Sequence, residues 1–172
     1  MNSIASKKYF IILFIILILK SVTVWSSDLK KIKVVKEEIY LDKISFFNFN
    51  EEATSVIDSQ IDYYILNFWA SWCAPCIKEM KSLNELKNNF SRVKILSVSQ
   101  DADLNDAKKF FSKNSYDNIE KYYDYEKNIS KNFSLRGLPT TFIFNKNFKV
   151  LAKVEGIIEW DSDKFINWLR KN

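Results

Sequence analysis

A chain of 172 residues, 47% of them hydrophobic, can bury one good core and has little room for a second. Its formal charge of +5 is not a nucleic-acid footprint: removing Lys7, Lys8 and Lys20, which sit in a leader with no acid before Asp28, leaves +2, and the later lysines are interleaved with Asp and Glu. There is no histidine, so the commonest metal ligand and the usual general base are both missing, and proton transfer must use Cys, Asp, Glu, Lys or water.

Residues 1–27 read as an export segment. Lys7 and Lys8 precede an unbroken apolar run over residues 9–19, and Lys20 and a short polar stretch follow. A run of that length fits a signal-peptide core better than a full span of about 20 residues. Cleavage after Ser26 and retention as a short anchor, with Lys20 reaching the interface, both stay open. A buried helix of the domain is the poorer reading, because the run is apolar all round. In either export version residues 28–172 form the folded domain and lie outside the cytoplasm.

Beyond a mixed region after Lys33, residues 44–49 are readable as a strand and residues 48–54 as a polar turn. Residues 63–69 form a short, nearly continuous apolar run, as expected of a strand covered on both faces. Ile77, Met80, Leu83, Leu86 and Phe90 then recur at helical spacing, which predicts a helix over 75–90 with Pro75 in its first turn. A second buried strand is expected at 93–98, a helix at 104–111 with Asp101 or Asp103 as cap, a weaker strand at 119–123 and a short helix at 126–133. Residues 140–144 and 150–154 alternate around Asn145, Lys146 and Asn147, which is a hairpin signal. An amphipathic helix over 161–170 closes the chain, with Phe165, Trp168 and Leu169 on one side.

Both cysteines lie in Trp72-Cys73-Ala74-Pro75-Cys76, where the strand at 63–69 runs into the helix. Two cysteines scattered at random would take this spacing in roughly one chain in a hundred. An exported chain with two cysteines three apart has no disulfide framework to build, so its thiols are there for exchange. Zinc would need about four ligands, and no further Cys or His exists to complete the set. Cys73 stands at a helix N-terminus, where unpaired N–H groups and the helix dipole favour a thiolate. Cys76, one turn inside, is expected to be more buried and suited to resolving a mixed disulfide.

The pattern Trp72-Cys73-Ala74-Pro75-Cys76, with Gly137-Leu138-Pro139-Thr140 before the hairpin, resembles the thioredoxin fold. Over residues 40–172 it is most similar to exported, membrane-tethered thiol-disulfide oxidoreductases of the TlpA/ResA type. Further strings that carry the likeness are Leu66-Asn67-Phe68-Trp69, Lys78-Glu79-Met80, and Glu155-Gly156 with Glu159-Trp160-Asp161. Asn67 replaces the buried aspartate of thioredoxin, the Cys76 to Pro139 interval is longer by about one crossover of a dozen or more residues, and the export leader is present. Lys81 stands where many relatives carry a proline, so the kink common in that helix is not expected here.

The resemblance implies an α/β fold with a central mixed β-sheet, helices on both faces, and one extra helix-strand unit before a cis-proline loop. It implies a cis Pro139 facing the cysteines, with the backbone before it free to pair with an extended client, Leu138 and Thr140 flanking it, and Trp72 shielding one side of the sulfurs. It also implies that Glu79 tunes cysteine acidity, although a solvated surface glutamate stays open as the alternative. Asn67 cannot relay protons and is read as satisfying local hydrogen bonds. The expected activity is reduction of disulfides in exported client proteins, fed by a membrane thiol donor, with no cofactor and no metal, in a monomer. Clients implied by the likeness are apocytochrome c haem-site cysteines or the cysteines of a copper protein during oxidase assembly. Two alternatives remain: a disulfide oxidant using the same pair, and a carrier in which the two thiolates hold Cu(I).

Overall fold

The computed structural model describes residues 28–172, and the expected export segment at 1–27 lies outside the described residues. Among the described residues no helix is long and apolar enough to cross a membrane.

The centre of the molecule is β4 (Tyr63–Trp69). It is followed by α1 (Ala74–Asn89), β5 (Val93–Ser99), α2 (Leu104–Ser112) and β6 (Ile119–Tyr123). The chain continues through β7 (Thr140–Asn145), β8 (Val150–Glu155) and α3 (Asp163–Lys171). A three-residue strand, β1 (Ile32–Val34), joins at the outer edge, giving a six-stranded sheet of order β1-β8-β7-β4-β5-β6. Strands β4, β5 and β6 run parallel, whereas β7 opposes β4, β8 opposes β7 and β1 opposes β8. The helices α1 and α2 are the crossovers that parallel neighbours require. The α2–β6 pair is the extra helix-strand unit expected before the proline loop.

Side chains of β4 alternate between two cores, as a strand demands. Ile65 and Trp69 enter the core covered by α1, α2 and α3, through Met80, Leu83, Ala107, Phe111, Phe165 and Leu169. Tyr64, Leu66 and Phe68 enter the opposite core. That second face is covered by 3-10 turns and irregular chain instead of long helices, with Leu41, Phe46, Val56, Ile129 and Phe133 packed against it.

The sequence reading departs from the structure at two places on this second face. Of residues 44–49 only β2 (Phe46–Phe47) is strand, and it pairs with β3 (Ala53–Thr54) across a turn in which the Asn48 Oδ1 accepts from the Asn50 and Glu52 N–H groups. The helix expected at 126–133 is two 3-10 turns, Tyr125–Lys127 and Ser130–Asn132. Glu126 and Lys127 take left-handed φ values of 51° and 58°, which break a helical path. The Asp124 carboxylate then accepts the N–H groups of Ile129 and Ser130 at 2.7 and 3.0 Å, replacing helical partners. Helix α1 runs unbroken through Lys81, in keeping with the missing proline.

Leu66 is wholly buried while Val34 on the edge strand is 75% exposed. Leu66→Ala is expected to cost about 2–5 kcal/mol in urea unfolding, and Val34→Ala less than about 0.5 kcal/mol. Equal losses would contradict the placement of the core.

Candidate active site

The antiparallel pairing of β4 with β7 sets Phe68 opposite Thr140. The end of β4 and the start of β7 therefore share one edge of the sheet, so the cysteine loop and the Pro139 loop meet there. Cys73 is the N-cap of α1, with Pro75 in the first turn. Its N–H donates to the Ala70 carbonyl at 3.1 Å, and its Sγ accepts the Cys76 N–H at 3.3 Å. The two cysteines are joined in a disulfide. Cys73 is 5% exposed and Cys76 wholly buried, the order of accessibility expected for an attacking and a resolving sulfur. Trp72, next to Cys73 in the chain, is 70% exposed, and Ile77 is also at the surface.

The Leu138–Pro139 peptide is cis. Thr140 Oγ1 donates to the Gly137 carbonyl at 2.7 Å, and the Gly156 N–H donates to the Pro139 carbonyl at 2.9 Å. Gly156 reaches that bond with φ +83°, a conformation that favours glycine. A shallow groove of about 300 Å³ runs past Arg136, Leu138, Pro139, Thr140 and Glu155. Leu138 is half-buried, whereas Thr140 is buried.

The loop before Cys73 is tied down by a residue that the sequence suggested only as a helix cap. Asp101 is buried, and its carboxylate accepts the Ser71 N–H at 3.0 and 3.1 Å, the Ser71 hydroxyl at 2.8 Å and the Ser99 hydroxyl at 2.7 Å. The cap of α2 is Asp103, which accepts the Asn105 N–H at 2.8 Å. Asp101 thus fixes the chain two residues before Cys73.

Behind the cysteines lies Glu79, one turn after Cys76 and 2% exposed, which settles the open choice between a solvated and a buried side chain. Its Oε1 accepts from Asn67 Nδ2 and its Oε2 from Trp160 Nε1, each at 2.9 Å. Asn67 Nδ2 also donates to Thr141 Oγ1 at 2.9 Å. Asn67 and Thr141 are register partners on neighbouring strands, so the face of β4 that points at α1 carries this polar cluster. Burial pushes the Glu79 carboxyl up from 4.5 to about 7, while the bonds from Trp160 and Asn67 and the charge of Lys31 pull the other way. The hydrogen-bonding role expected of Asn67 is borne out by its bonds to Glu79 and Thr141. Trp160 as a partner of Glu79 and Thr141 as a partner of Asn67 were not foreseen, although Trp160 lies in one of the strings that carry the resemblance and Thr141 directly follows another.

A mixed sheet that sets a cysteine pair at a helix N-terminus against a cis-proline is the architecture of thioredoxin-fold proteins. A thioredoxin-like family model matches residues 60–150, and the chain belongs to that family. It is 34% identical over 107 residues to the thiol-disulfide oxidoreductase ResA of Bacillus thuringiensis subsp. konkukian, across 62% of this chain and 61% of that protein. The chain therefore spans about three fifths of the length of the curated relatives it matches first. Among solved structures it is similar to a putative thiol:disulfide interchange protein DsbE from Chlorobium tepidum, with TM-score 0.66 and 21% identity over 80% of this chain and 97% of that one. The exposed lipoprotein thioredoxin Etrx1 of Streptococcus pneumoniae matches with TM-score 0.63 and 19% identity over 79% of this chain and all of that one. At such identities these structures speak for the fold.

The raised Glu79 value makes a stability prediction. The folded chain keeps the Glu79 proton up to about pH 7, whereas an unfolded glutamate loses it near 4.5. Between those values the folded state binds more protons, so this contribution is complete below about 4.5 and falls as pH rises through 7. Urea unfolding at pH 5 and pH 8 is expected to show wild type losing stability relative to Glu79→Gln, by on the order of 3 kcal/mol. A constant difference between the two proteins would contradict the burial of an ionisable carboxyl.

Proposed function

We propose that the chain is an extracytoplasmic thiol-disulfide oxidoreductase that works as a dithiol reductase on disulfides of other exported proteins. The observation that carries this reading is the cysteine pair itself: a slightly accessible sulfur at a helix N-cap, a wholly buried one a turn behind it, and a cis-proline at the same sheet edge. The curated ResA relatives support it by name. Residues 1–27 serve as export signal or membrane anchor, and residues 28–172 are the redox domain.

In the reduced protein, Cys73 attacks a client disulfide as a thiolate. One client sulfur leaves as a thiolate and the other stays bonded to Cys73. Glu79 takes the proton of the Cys76 thiol, and the Cys76 thiolate attacks Cys73 Sγ, forming the Cys73–Cys76 disulfide and releasing the second client sulfur. The two client thiolates take protons from water. A membrane dithiol donor then returns two electrons to the pair. Helix α1 favours the Cys73 thiolate through its free N–H groups. The backbone at Leu138, just before Pro139, pairs with an extended client segment, and Trp72 gives that segment an apolar surface. Cytochrome c haem-site cysteines, presented in extended unfolded chain, suit this groove, and the cysteines of a copper site are the second client class.

Cys73→Ser is expected to abolish reduction of a disulfide-closed two-cysteine peptide by the pre-reduced protein, at least a thousandfold by the loss of its nucleophile. Cys76→Ser should accumulate a mixed disulfide with the peptide, visible by mass. Trapping free thiols in intact cells should find the pair mostly reduced. A mostly oxidised pair would overturn the reductase direction, and stoichiometric Cu(I) uptake without disulfide turnover would overturn the enzyme.

A further inference from the structure

Glu79 can serve a resolving cysteine only if it can return its proton to water, and the buried partners at Asn67 and Trp160 give it no path through the sheet. The structure offers another side. A cavity of about 550 Å³ reaches Glu79, bounded by Lys31, Lys78, Lys81, Glu159 and Asp161, none of which lines the Pro139 groove. Lys78 and Lys81 are exposed on α1 itself, Glu159 is exposed and Asp161 half-buried on the loop before α3, and Lys31 is half-buried in the 3-10 turn Asp28–Lys31. The side chains that hydrogen-bond Glu79 are the neutral Asn67 and Trp160, and Cys76 is buried one turn back on α1.

Lys31 differs from the other two lysines of this cavity in how it is held. Its ammonium donates to the Ile157 carbonyl at 2.6 Å, bridging the N-terminal turn to the loop that follows β8. The turn leads directly into β1, where Ile32 pairs with Val154. The position of this cation is therefore set by a three-residue edge strand of which only Ile32 is half-buried, an element from the low-stability end of a fold. A positive charge fixed at this place favours the carboxylate form of Glu79, the direction in which Lys31 acts on it.

We propose that this cavity is the port through which Glu79 exchanges its proton with water, and that Lys31 is a positioning residue that holds the port and biases Glu79 toward the proton-accepting carboxylate. The proposal rests on Glu79 acting as the proton acceptor of Cys76. In the resolving step the Cys76 thiol gives its proton to the Glu79 carboxylate as the Cys76–Cys73 bond forms and the bond from Cys73 to the client breaks. The Glu79 carboxylic acid then gives that proton to water in the cavity, and no electron passes through this side. The chain just before β1 thereby acquires a hold on the chemistry, because displacing the N-terminal turn withdraws Lys31 from Glu79.

The test follows the rate of the resolving step against pH in the full chain, starting from the mixed disulfide of Cys73 with a small thiol and reading release of that thiol. Wild type is compared with Lys31→Met, Lys31→Gln, Lys31→Arg and Glu79→Gln, each first confirmed folded by its near-UV spectrum. Lys31→Met and Lys31→Gln should both move the acidic limb up by about one pH unit, slowing resolution about tenfold on that limb. Lys31→Arg should keep the wild-type profile. If Lys31→Gln, which can still bond the Ile157 carbonyl, restores the wild-type limb, Lys31 is only an anchor and the proposal fails. If both neutral variants superimpose on wild type while Glu79→Gln loses the limb, the port is wrong and the role of Glu79 stands. If Glu79→Gln itself leaves the limb unchanged, the role of Glu79 fails and the port with it.

Discussion

A carboxyl buried between a sheet and a helix is expensive, and the arrangement around Glu79 answers that cost. Moving a lone carboxylate out of water costs several kcal/mol, so such a group either keeps its proton or finds donors. Here it has both responses in balance: Asn67 and Trp160 each give one hydrogen bond, while burial holds the acidity near neutral. A histidine would reach the same range without burial, but the chain has none. Asn67, itself bonded to Thr141 on the neighbouring strand, and Trp160 supply the donors that accommodate that one side chain.

The second constraint is topological. Because β7 runs against β4, the loop that leaves β4 and the loop that enters β7 lie at one edge, and the cysteines meet Pro139 without further design. Asp101 adds a local lock. It comes from the loop after β5, which runs parallel to β4, so the ends of two neighbouring strands are tied together by its bonds to Ser71 and Ser99. The cysteine loop is thus held by one buried carboxylate while the pair is backed by another.

Much of this was legible in the sequence, and the physical reasons differ by element. Strands β4, β5 and β6 and the β7–β8 hairpin announce themselves because buried strands concentrate aromatic and branched residues in short runs. Helix α1 is equally plain from its spacing. Glu79 was left open because a charge usually outweighs position, yet Cys76, Glu79, Met80, Leu83 and Leu86 form one continuous buried stripe, and the stripe was the better guide. The 3-10 turns after β6 were not readable, since left-handed conformations at Glu126 and Lys127 carry no glycine to mark them. Nor were the contacts of Asp101 and Lys31, which join residues 30 and 126 positions apart and depend on register that no local pattern encodes.

The proposed proton transfer depends on the protonation of one side chain. A carbon-13 NMR titration of the glutamate side-chain carboxyls in the oxidised full chain, with Glu79→Gln used to assign the signal, reads it directly. The expected Glu79 midpoint is at about 7. A midpoint near the ordinary 4.5 would contradict it, because the carboxyl would then be permanently charged at neutral pH and could not pass protons to and from the cysteine pair.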